Sequence, residues 1–236
     1  MIVLALESSA VAASVALTRD DSLLAECTVN VGHTHSETLL PMVEALLHRT
    51  GLTVRDVDLF AVASGPGSFT GVRIGVATVK GLAFGSGKPC VGVSSLEALA
   101  ENLSVVRGAL ICPVMNARRN QVYTALFRRE ESGMTRLLPD SAISVEELET
   151  VLAAYTEPVC FVGDGYNLVA EQIGHASLPG PERLRLQSAA SVAAVARRMY
   201  AAGNYTTDAA LAPVYLRPSQ AERTRAEQLK NQFPKG

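Results

Sequence analysis

Short runs with the apolar character of β-strands alternate with turns along the first thirty residues. The runs are Ile2–Glu7, Ala13–Thr18 and Leu23–Val31, and the turn residues between them predict three strands. Connections this short require antiparallel neighbours, so the segment predicts a three-stranded meander. Apolar residues then recur at helical spacing, which predicts a helix with Ser36 as its N-cap and Gly51 at its end.

A continuous apolar run, Val57–Gly65, comes next and ends in glycine. Such a run is typical of a strand buried on both faces. A glycine-rich loop and a helix follow over 65–85, and then a short strand and a helix that Ser94 or Ser95 caps. The order strand, loop, helix, strand, helix completes the first half of the chain.

A similar order of elements begins again near residue 109. Three strands with short connections are followed by a helix over Val145–Tyr155, a further strand and a helix within 188–203. The repeat is one of architecture, with little residue identity. It predicts an α/β protein of two structurally related lobes, residues 1–105 and residues 106–236.

Composition narrows the class of protein without identifying it. Of 236 residues, 48% are hydrophobic and 19% are charged, and the formal net charge is -2. These values indicate a folded chain and disfavour a protein that binds nucleic acid by itself. The four cysteines lie far apart, which predicts reduced core thiols instead of disulfides or a zinc site.

The chain shows no signal peptide and no apolar run long enough to span a membrane, so we expect a soluble, cytoplasmic protein. The polar tail from Arg217 to Gly236 is expected to fray.

The glycine-rich loop Gly65–Gly71 follows a strand and opens a helix, which is the setting of an anion site at a helix N-terminus. Its spacing is G-x-G-x-x-x-G, which differs from the dinucleotide fingerprint, and it lacks the Lys-Ser/Thr pair of a Walker loop. Phosphate binding by this loop alone is therefore weakly supported. Its glycines are equally explained by close approach of backbones.

Small residues form a stripe along one face of the helix that follows this loop. They are Gly71, Gly75, Thr78, Gly81 and Gly85. Each glycine inside a helix costs about 1 kcal/mol relative to alanine, so something must pack closely against this backbone. One interpretation is a helix or sheet of the same domain. The other is a helix of a second subunit, with Arg73 and Lys80 near the rim of the contact.

The stretch "GPGSFTGVRIG", with "HSETLLPMVEALL" before it and "GVSSLEALA" after it, closely resembles the bacterial TsaB (YeaZ) family. The resemblance is dense up to about Tyr123 and sparse afterwards, with "VGDG" and "PVYLR" as later echoes. It implies a two-lobed actin-like/Hsp70-like ATPase (ASKHA) fold with duplicated mixed-sheet lobes. That fold agrees with the repeated strand order.

The resemblance also implies a role. Members of the family are taken to be non-catalytic subunits that form homodimers and bind a TsaD-type transferase. With a TsaE-type ATPase they take part in making threonylcarbamoyladenosine on tRNA, and tRNA contact is mainly the partner's task.

In the family, the helices that correspond to about Ser36–His48 and Thr70–Phe84 form the interaction face. The interface residues predicted here are His35, Glu37, Leu39, Leu40, Gly67, Ser68, Phe69, Thr70, Gly71, Arg73, Gly75 and Thr78.

Active ATPases of that fold carry a turn with an acidic residue and a glycine in each lobe, which organises Mg²⁺ and phosphate. In this chain the first turn, Glu7-Ser8-Ser9, lacks the glycine, and Asn116 stands in the second turn where the family usually has Asp. Phosphoryl transfer by the chain alone is therefore not expected, and no catalytic residue is predicted.

Weak nucleotide-binding candidates remain in both lobes. They are Glu7, Ser8, Ser9, Gly163, Asp164 and Gly165. A strand-end residue that caps the adjacent turn explains Glu7 better, and a strand-to-helix turn explains Gly163–Gly165 equally well. No cofactor is expected on the chain by itself, and ATP or ADP is expected only at an interface composed with the partner.

The histidines do not predict a metal site. His33 and His35 form an H-x-H pair with no third ligand at a recognisable spacing, and the H-x-x-x-H pair of the catalytic relatives is missing. The pairs Arg118–Arg119 and Arg128–Arg129 are weak candidates for tRNA contact. Two alternatives to a scaffold stay open: an independent ATPase or kinase of the same fold, and a metallopeptidase-like hydrolase.

Overall fold

The computed structural model describes residues 1–32, 34–131, 133–178 and 180–217. The tail predicted to fray, Arg217–Gly236, lies outside these residues except for Arg217. Two five-stranded mixed sheets organise the described chain. The strands of the first sheet are β1 (Ile2–Glu7), β2 (Ala13–Arg19), β3 (Ser22–Val29), β4 (Leu59–Gly65) and β5 (Cys90–Ser94). Their order is β3-β2-β1-β4-β5, with β1–β2 and β2–β3 antiparallel and β1–β4 and β4–β5 parallel.

The second sheet repeats this topology. Its strands are β6 (Leu110–Asn116), β7 (Gln121–Glu130), β8 (Gly133–Ser144), β9 (Val159–Val162) and β10 (Ser177–Leu178). The order β10-β9-β6-β7-β8 places each strand as its counterpart is placed in the first sheet, with the same parallel and antiparallel neighbours. The predicted duplication of a mixed sheet is confirmed.

Six α-helices and two short 3-10 turns connect the described strands. The helices are α1 (His35–Thr50), α2 (Phe69–Ala83), α3 (Ser95–Glu101), α4 (Val145–Leu152), α5 (Tyr166–Ala170) and α6 (Ala189–Ala201), and the 3-10 turns are Val54–Asp56 and Glu182–Leu184. None of the helices in the described ranges is long and apolar enough to cross a lipid bilayer.

Helix α1 begins one residue earlier than its sequence predicts. Thr34 occupies the N-cap position without a side-chain hydrogen bond, and Ser36 lies inside the first turn. The Ser36 hydroxyl donates to Thr34 Oγ1 at 3.2 Å, so the predicted Ser36 cap is wrong. The predicted end is confirmed, because Gly51 adopts φ 68°, a left-handed conformation that favours glycine.

The two faces of the first sheet carry different helices. Leu4 and Leu6 pack against α1 and α2, whereas Val3 and Ala5 on the opposite face pack against α6. Successive side chains of a strand point to opposite faces of the sheet. Because the side chains on both faces of β1 are apolar, helices must cover both faces.

Helix α3 is shared by the two sheets. Leu96 and Leu99 are buried with Ile111 and Phe127 of the second sheet, whereas Ala98 is buried with α6 on the first sheet. Helix α3 therefore makes apolar contacts with both lobes.

The C-terminal part of the chain returns to the first sheet. Helix α6 buries Val192, Ala193 and Val195 against β1, β4 and β5, so the predicted assignment of all of 106–236 to the second lobe is wrong for α6. We call residues 206–217 the C-terminal strap. It starts at an antiparallel bridge between Thr206 and Cys90, continues along the first lobe to Val214, and ends at Arg217, whose guanidinium group donates to the carbonyl of Ala117 in the second lobe.

The cysteines are unpaired, as their spacing predicts. Cys90, Cys112 and Cys160 are buried, and Cys27 is partly buried. Burial raises the pKa of Cys112 to about 12 and that of Cys90 to about 11. Cys90 and Cys112 are therefore core residues whose burial favours the protonated thiol.

Candidate partner-binding surface and nucleotide turns

Helices α1 and α2 lie on the same side of the first sheet and leave their outer surfaces open. Their apolar sides are buried under the sheet, and we call their exposed outer residues the helix-pair face. These residues are Ser36, Glu37, Leu40, Pro41, Glu44, Ala45, His48 and Arg49 of α1 and Thr70, Arg73, Ala77 and Gly81 of α2. Leu40 is 46% exposed, and Phe84 at the end of α2 is 81% exposed. Small and apolar residues are therefore frequent on an outer surface where helices usually carry charge.

The predicted interface residues fall into three groups by exposure. Exposed residues are Glu37, Leu40, Ser68, Thr70 and Arg73; partly exposed ones are His35, Gly67, Phe69 and Thr78; buried ones are Leu39, Gly71 and Gly75. Leu39 is 1% exposed and lies in the core under α1. Only the first two groups are accessible to a partner.

The glycine stripe of α2 packs mainly against the chain's own β1. A Cβ at Gly71 would overlap the carbonyl oxygen of Ser8, and a Cβ at Gly75 would overlap Ser8 Oγ. The Ser8 hydroxyl donates to the carbonyl of Gly71 at 2.9 Å. The interpretation of the stripe as a seat for another subunit is therefore wrong at Gly71 and Gly75. At Gly81 a Cβ would meet open space, so that position stays accessible.

Close backbone approach also accounts for the glycines of the loop before α2. Gly65 has φ 121°, and a Cβ there would overlap the carbonyl oxygen of Val214. A Cβ at Gly67 would overlap the carbonyl oxygen of Ser9. The N–H of Ser68 donates to that same Ser9 oxygen at 2.6 Å. The loop is thus fitted between the end of β1 and the C-terminal strap.

The C-terminal strap contributes an aromatic side chain to the beginning of α2. The rings of Phe69 and Tyr215 are stacked with centroids 4.3 Å apart and an interplanar angle of 22°. Arg73 Cζ lies 4.0 Å from the Phe69 ring centroid, and Arg73 Nε donates to the Tyr215 hydroxyl at 2.8 Å. Tyr215 was absent from the predicted interface, although it belongs to the "PVYLR" stretch that carries part of the family resemblance.

The first candidate nucleotide turn holds a fully buried carboxyl group. The N–H of Ser9 donates to Glu7 Oε1 at 2.5 Å, and Oε2 is buried without a hydrogen-bond partner in the described ranges. Burial away from water raises the pKa of Glu7 to about 7, although hydrogen bonds from Ser9 and Ser8 act to lower it. The interpretation of Glu7 as a strand-end residue that caps the adjacent turn is confirmed.

The second turn joins Asn116 to the glycine turn after β9. The N–H of Asn116 donates to Asp164 Oδ1 at 3.3 Å, and Asn116 Oδ1 accepts from the N–H of Arg118 at 2.8 Å. Desolvation raises the pKa of Asp164, although hydrogen bonds from the backbone of Asn116, Asp164 and Gly165 act to lower it. Gly163, with φ 120°, and Gly165 form the turn between β9 and α5, as their strand-to-helix interpretation requires.

A cleft of about 230 Å³ lies beside this second turn. Its lining residues are Asn30, Gly163, Asp164, Tyr166, Asn167, Glu182, Arg185 and Leu186. Arg185 Cζ lies 3.5 Å from the Tyr166 ring centroid. The cleft thus includes two of the nucleotide candidates from the second lobe, whereas Glu7, Ser8 and Ser9 of the first lobe do not line it.

The remaining candidates have local explanations. His35 Nε2 lies 2.8 Å from the carbonyl oxygen of Ala10, and no group of three metal-ligating side chains occurs among the residues described. His33 lies outside the described residues. Arg128 is paired with Glu157 at 2.5 Å, whereas Arg118 and Arg119 are exposed. Contact of these arginines with tRNA stays a prediction.

The repeated sheet topology defines a two-lobed actin-like protein, the class of fold that the sequence predicts. Comparison with known proteins narrows this class. A family model described as "TsaD: tRNA N6-adenosine threonylcarbamoyltransferase" matches residues 29–225. The solved structure "YeaZ from Pseudomonas aeruginosa" superposes with a TM-score of 0.80 at 30% identity and covers 91% of this chain and 99% of that one.

Two curated relatives share the name tRNA threonylcarbamoyladenosine biosynthesis protein TsaB. The protein of Bacillus subtilis is 36% identical over 73% of this chain and 75% of its own length. The protein of Escherichia coli is 32% identical over 94% of this chain and 96% of its own length. The chain therefore belongs to the family described by the TsaD model. Within that family it is one of the TsaB (YeaZ) proteins.

The internal packing of Gly71 yields a stability prediction. Replacing Gly71 with Ala should lower the free energy of unfolding by roughly 2 kcal/mol or more, because the new methyl group overlaps the Ser8 carbonyl. The matched change Gly81→Ala should raise it by up to about 1 kcal/mol, since that site is open and alanine favours the helix. Urea unfolding of both variants measures the difference. Equal effects at the two positions would contradict the packing.

Burial of Glu7 yields a prediction on pH dependence. Below pH 4.5 the carboxyl is protonated in both the folded and the unfolded chain. As the pH rises, the unfolded chain releases the proton that the folded chain keeps until about pH 7, so folding loses stability across this interval. Glu7→Gln removes the titrating group, and its stability relative to wild type should therefore rise by about 3 kcal/mol between pH 4.5 and pH 8.

Urea unfolding at several pH values measures this difference for Glu7→Gln. The matched control is Glu131→Gln, which changes an exposed carboxylate in the second lobe. A stability difference that stays constant with pH for Glu7→Gln would show that Glu7 does not titrate as a buried acid.

Proposed function

We propose that this chain is a non-catalytic scaffold subunit that activates a TsaD-type transferase in the synthesis of threonylcarbamoyladenosine on tRNA. The observation that carries the proposal is the helix-pair face. Helices α1 and α2 bury one side under the first sheet and expose Leu40, Ala45, Ala77 and Gly81 on the other. Small and apolar side chains allow a partner helix to approach closely.

The nucleotide turns support a non-catalytic role. An ATPase of this fold needs ionised carboxylates to organise Mg²⁺ at its phosphates. Glu7 is buried with a raised pKa, and the second turn has Asn116 in the corresponding place. No observation on the described residues favours the alternative of an independent ATPase or of a metallopeptidase-like hydrolase.

The assembly proposed around the scaffold has four further parts. The chain forms a homodimer when it lacks its partner and joins a TsaE-type ATPase in the complete assembly. ATP or ADP binds where this chain and the transferase meet, and tRNA is bound mainly through the transferase. The complex works in the cytoplasm, where tRNA is modified.

An omission assay tests the role directly. The TsaD-type transferase, the TsaE-type ATPase, tRNA, ATP and threonylcarbamoyl-adenylate are combined with and without this chain, and modified tRNA is counted. We expect modification that requires the chain and none from the chain alone. Modification that is unaffected by omission would remove the activating role, and ATP turnover by the isolated chain that Glu7→Ala abolishes would favour the independent ATPase.

The location of the contact is tested by one substitution on the helix-pair face. Ala77→Arg places a long charged side chain in the middle of exposed α2 and should weaken transferase binding at least roughly tenfold, equivalent to about 1.4 kcal/mol. Ala153→Arg makes the same change on an exposed position after α4 in the second lobe and serves as the control. Titration calorimetry measures both affinities. Similar losses from the two variants would show that the effect is not specific to the helix-pair face.

A further inference from the structure

The Arg73 guanidinium group is held in place from two sides at the N-terminal end of α2. Its Cζ lies over the Phe69 ring, 4.0 Å from the ring centroid, and its Nε donates to the Tyr215 hydroxyl at 2.8 Å. Stacking and a directed hydrogen bond restrict a side chain that is otherwise flexible and exposed. The guanidinium group is therefore oriented before any partner arrives.

The arrangement depends on the C-terminal strap. The N–H of Val214 donates to the Ser64 carbonyl at 2.7 Å, and the buried side chain of Leu211 anchors the preceding residues in the core of the first lobe. Lys80 Nζ donates to the carbonyls of Ala209 and Leu211 at 2.9 Å and 3.0 Å. Tyr215 is thus fixed by backbone contacts, and its position does not depend on Arg73 alone.

The outer edge of the same guanidinium group is unused within the described part of the chain. Its hydrogen bonds there involve Nε alone, and none of the ion pairs among described residues includes Arg73. The two Nη atoms present a planar pair of donors that matches a carboxylate in bidentate geometry. Arg73 lies on the exposed side of α2, in the same row as Thr70 and Ala77 of the helix-pair face.

The surroundings favour one carboxylate over a polyanion. The other basic residue of α2, Lys80, is occupied by carbonyls of the strap. Helix α1 contributes the acidic Glu37 and Glu44 to the helix-pair face, and its basic residues, His48 and Arg49, lie in its last turn. The chain as a whole carries a net charge of -2. A nucleic-acid site usually combines several cations, whereas an oriented single arginine suits one acidic side chain.

We propose that Arg73, held by Phe69 and Tyr215, is a preset receptor for a carboxylate of the partner transferase at the edge of the helix-pair face. The proposal rests on the proposed function, because it names a specific contact within that interface. The C-terminal strap is then part of the binding surface: it supplies the hydroxyl group that orients the arginine.

Affinity for the transferase, measured with tRNA absent at low and at physiological ionic strength, tests the proposal. Arg73→Glu should weaken binding roughly tenfold or more, with a larger loss at low salt. Arg73→Lys keeps the charge but loses the planar donor pair and should weaken binding severalfold. Tyr215→Phe keeps the ring stack and removes only the hydroxyl group, so a smaller loss is expected with an unchanged unfolding temperature.

Arg107→Glu is the matched control. It makes the same charge change at an exposed position in the segment that connects α3 to β6, away from the helix-pair face. Reversal of the charge of one acidic residue on the transferase should restore binding to Arg73→Glu, which a merely structural role of Arg73 cannot explain.

Wild-type affinity and wild-type salt dependence of Arg73→Glu would overturn the receptor while leaving the scaffold proposal intact. Failure of the wild-type chain to bind the transferase would remove both proposals. A defect that appears only when tRNA is present would assign Arg73 to a phosphate and overturn the carboxylate.

Discussion

The close approach of α2 to the end of β1 is the constraint on which the rest of the first lobe depends. Without side chains at Gly71 and Gly75, the helix backbone lies against Ser8, and the Ser8 hydroxyl bonds to the helix carbonyl. This contact fixes the height of α2 above the sheet. It therefore also sets where the preceding loop meets the strap and which residues of the helix face outward.

The same strand end places a carboxyl group on the opposite face of the sheet. Side chains alternate along β1, so Ser8 points towards α2 while Glu7 points towards the side covered by α6. There Glu7 loses its contact with water, and its carboxyl accepts hydrogen bonds only from the adjacent turn, such as that from the N–H of Ser9, within the described residues. A turn that resembles a phosphate loop in position thus serves as an internal support, which fits a chain that presents a surface better than one that transfers phosphoryl groups.

The elements of this fold could be predicted where local pattern alone determines them. Bounds of β1 and the end of α1 at Gly51 agree with the sequence, because apolar runs and left-handed glycines are local signals. Sequence reasoning failed where contacts join distant segments. The partner of Gly71 is Ser8, 63 residues away, and the strap reaches Phe69 from Tyr215. The glycine stripe indicates a close contact, and its interpretation as packing within the same domain is confirmed at Gly71 and Gly75. Nothing near these residues in sequence identifies the distant segment that makes the contact.

The prediction that α6 belongs to the second lobe was wrong for a related reason. The Ala- and Val-rich side of this helix could pack against either sheet, and the sequence near it does not distinguish them. Only the small residues on one face of the first sheet, such as Ala5 and Ala61, leave room for the helix to pack closely there.

The connection between the lobes bears on how such a protein can work. Arg136 of β8 pairs with Glu97 of α3 at 2.6 Å, and Ser94 donates to Asp140 at 2.6 Å. Asn102 donates to the carbonyls of Leu184 and Leu186, each at 2.8 Å. Movement of one lobe against the other would break these bonds together with the apolar contact around α3. The helix-pair face and the Arg73 site both lie on the first lobe, where Ser8 fixes α2 and the strap fixes Tyr215. The proposed scaffold therefore meets its partner with this surface already organised, which lowers the entropic cost of binding.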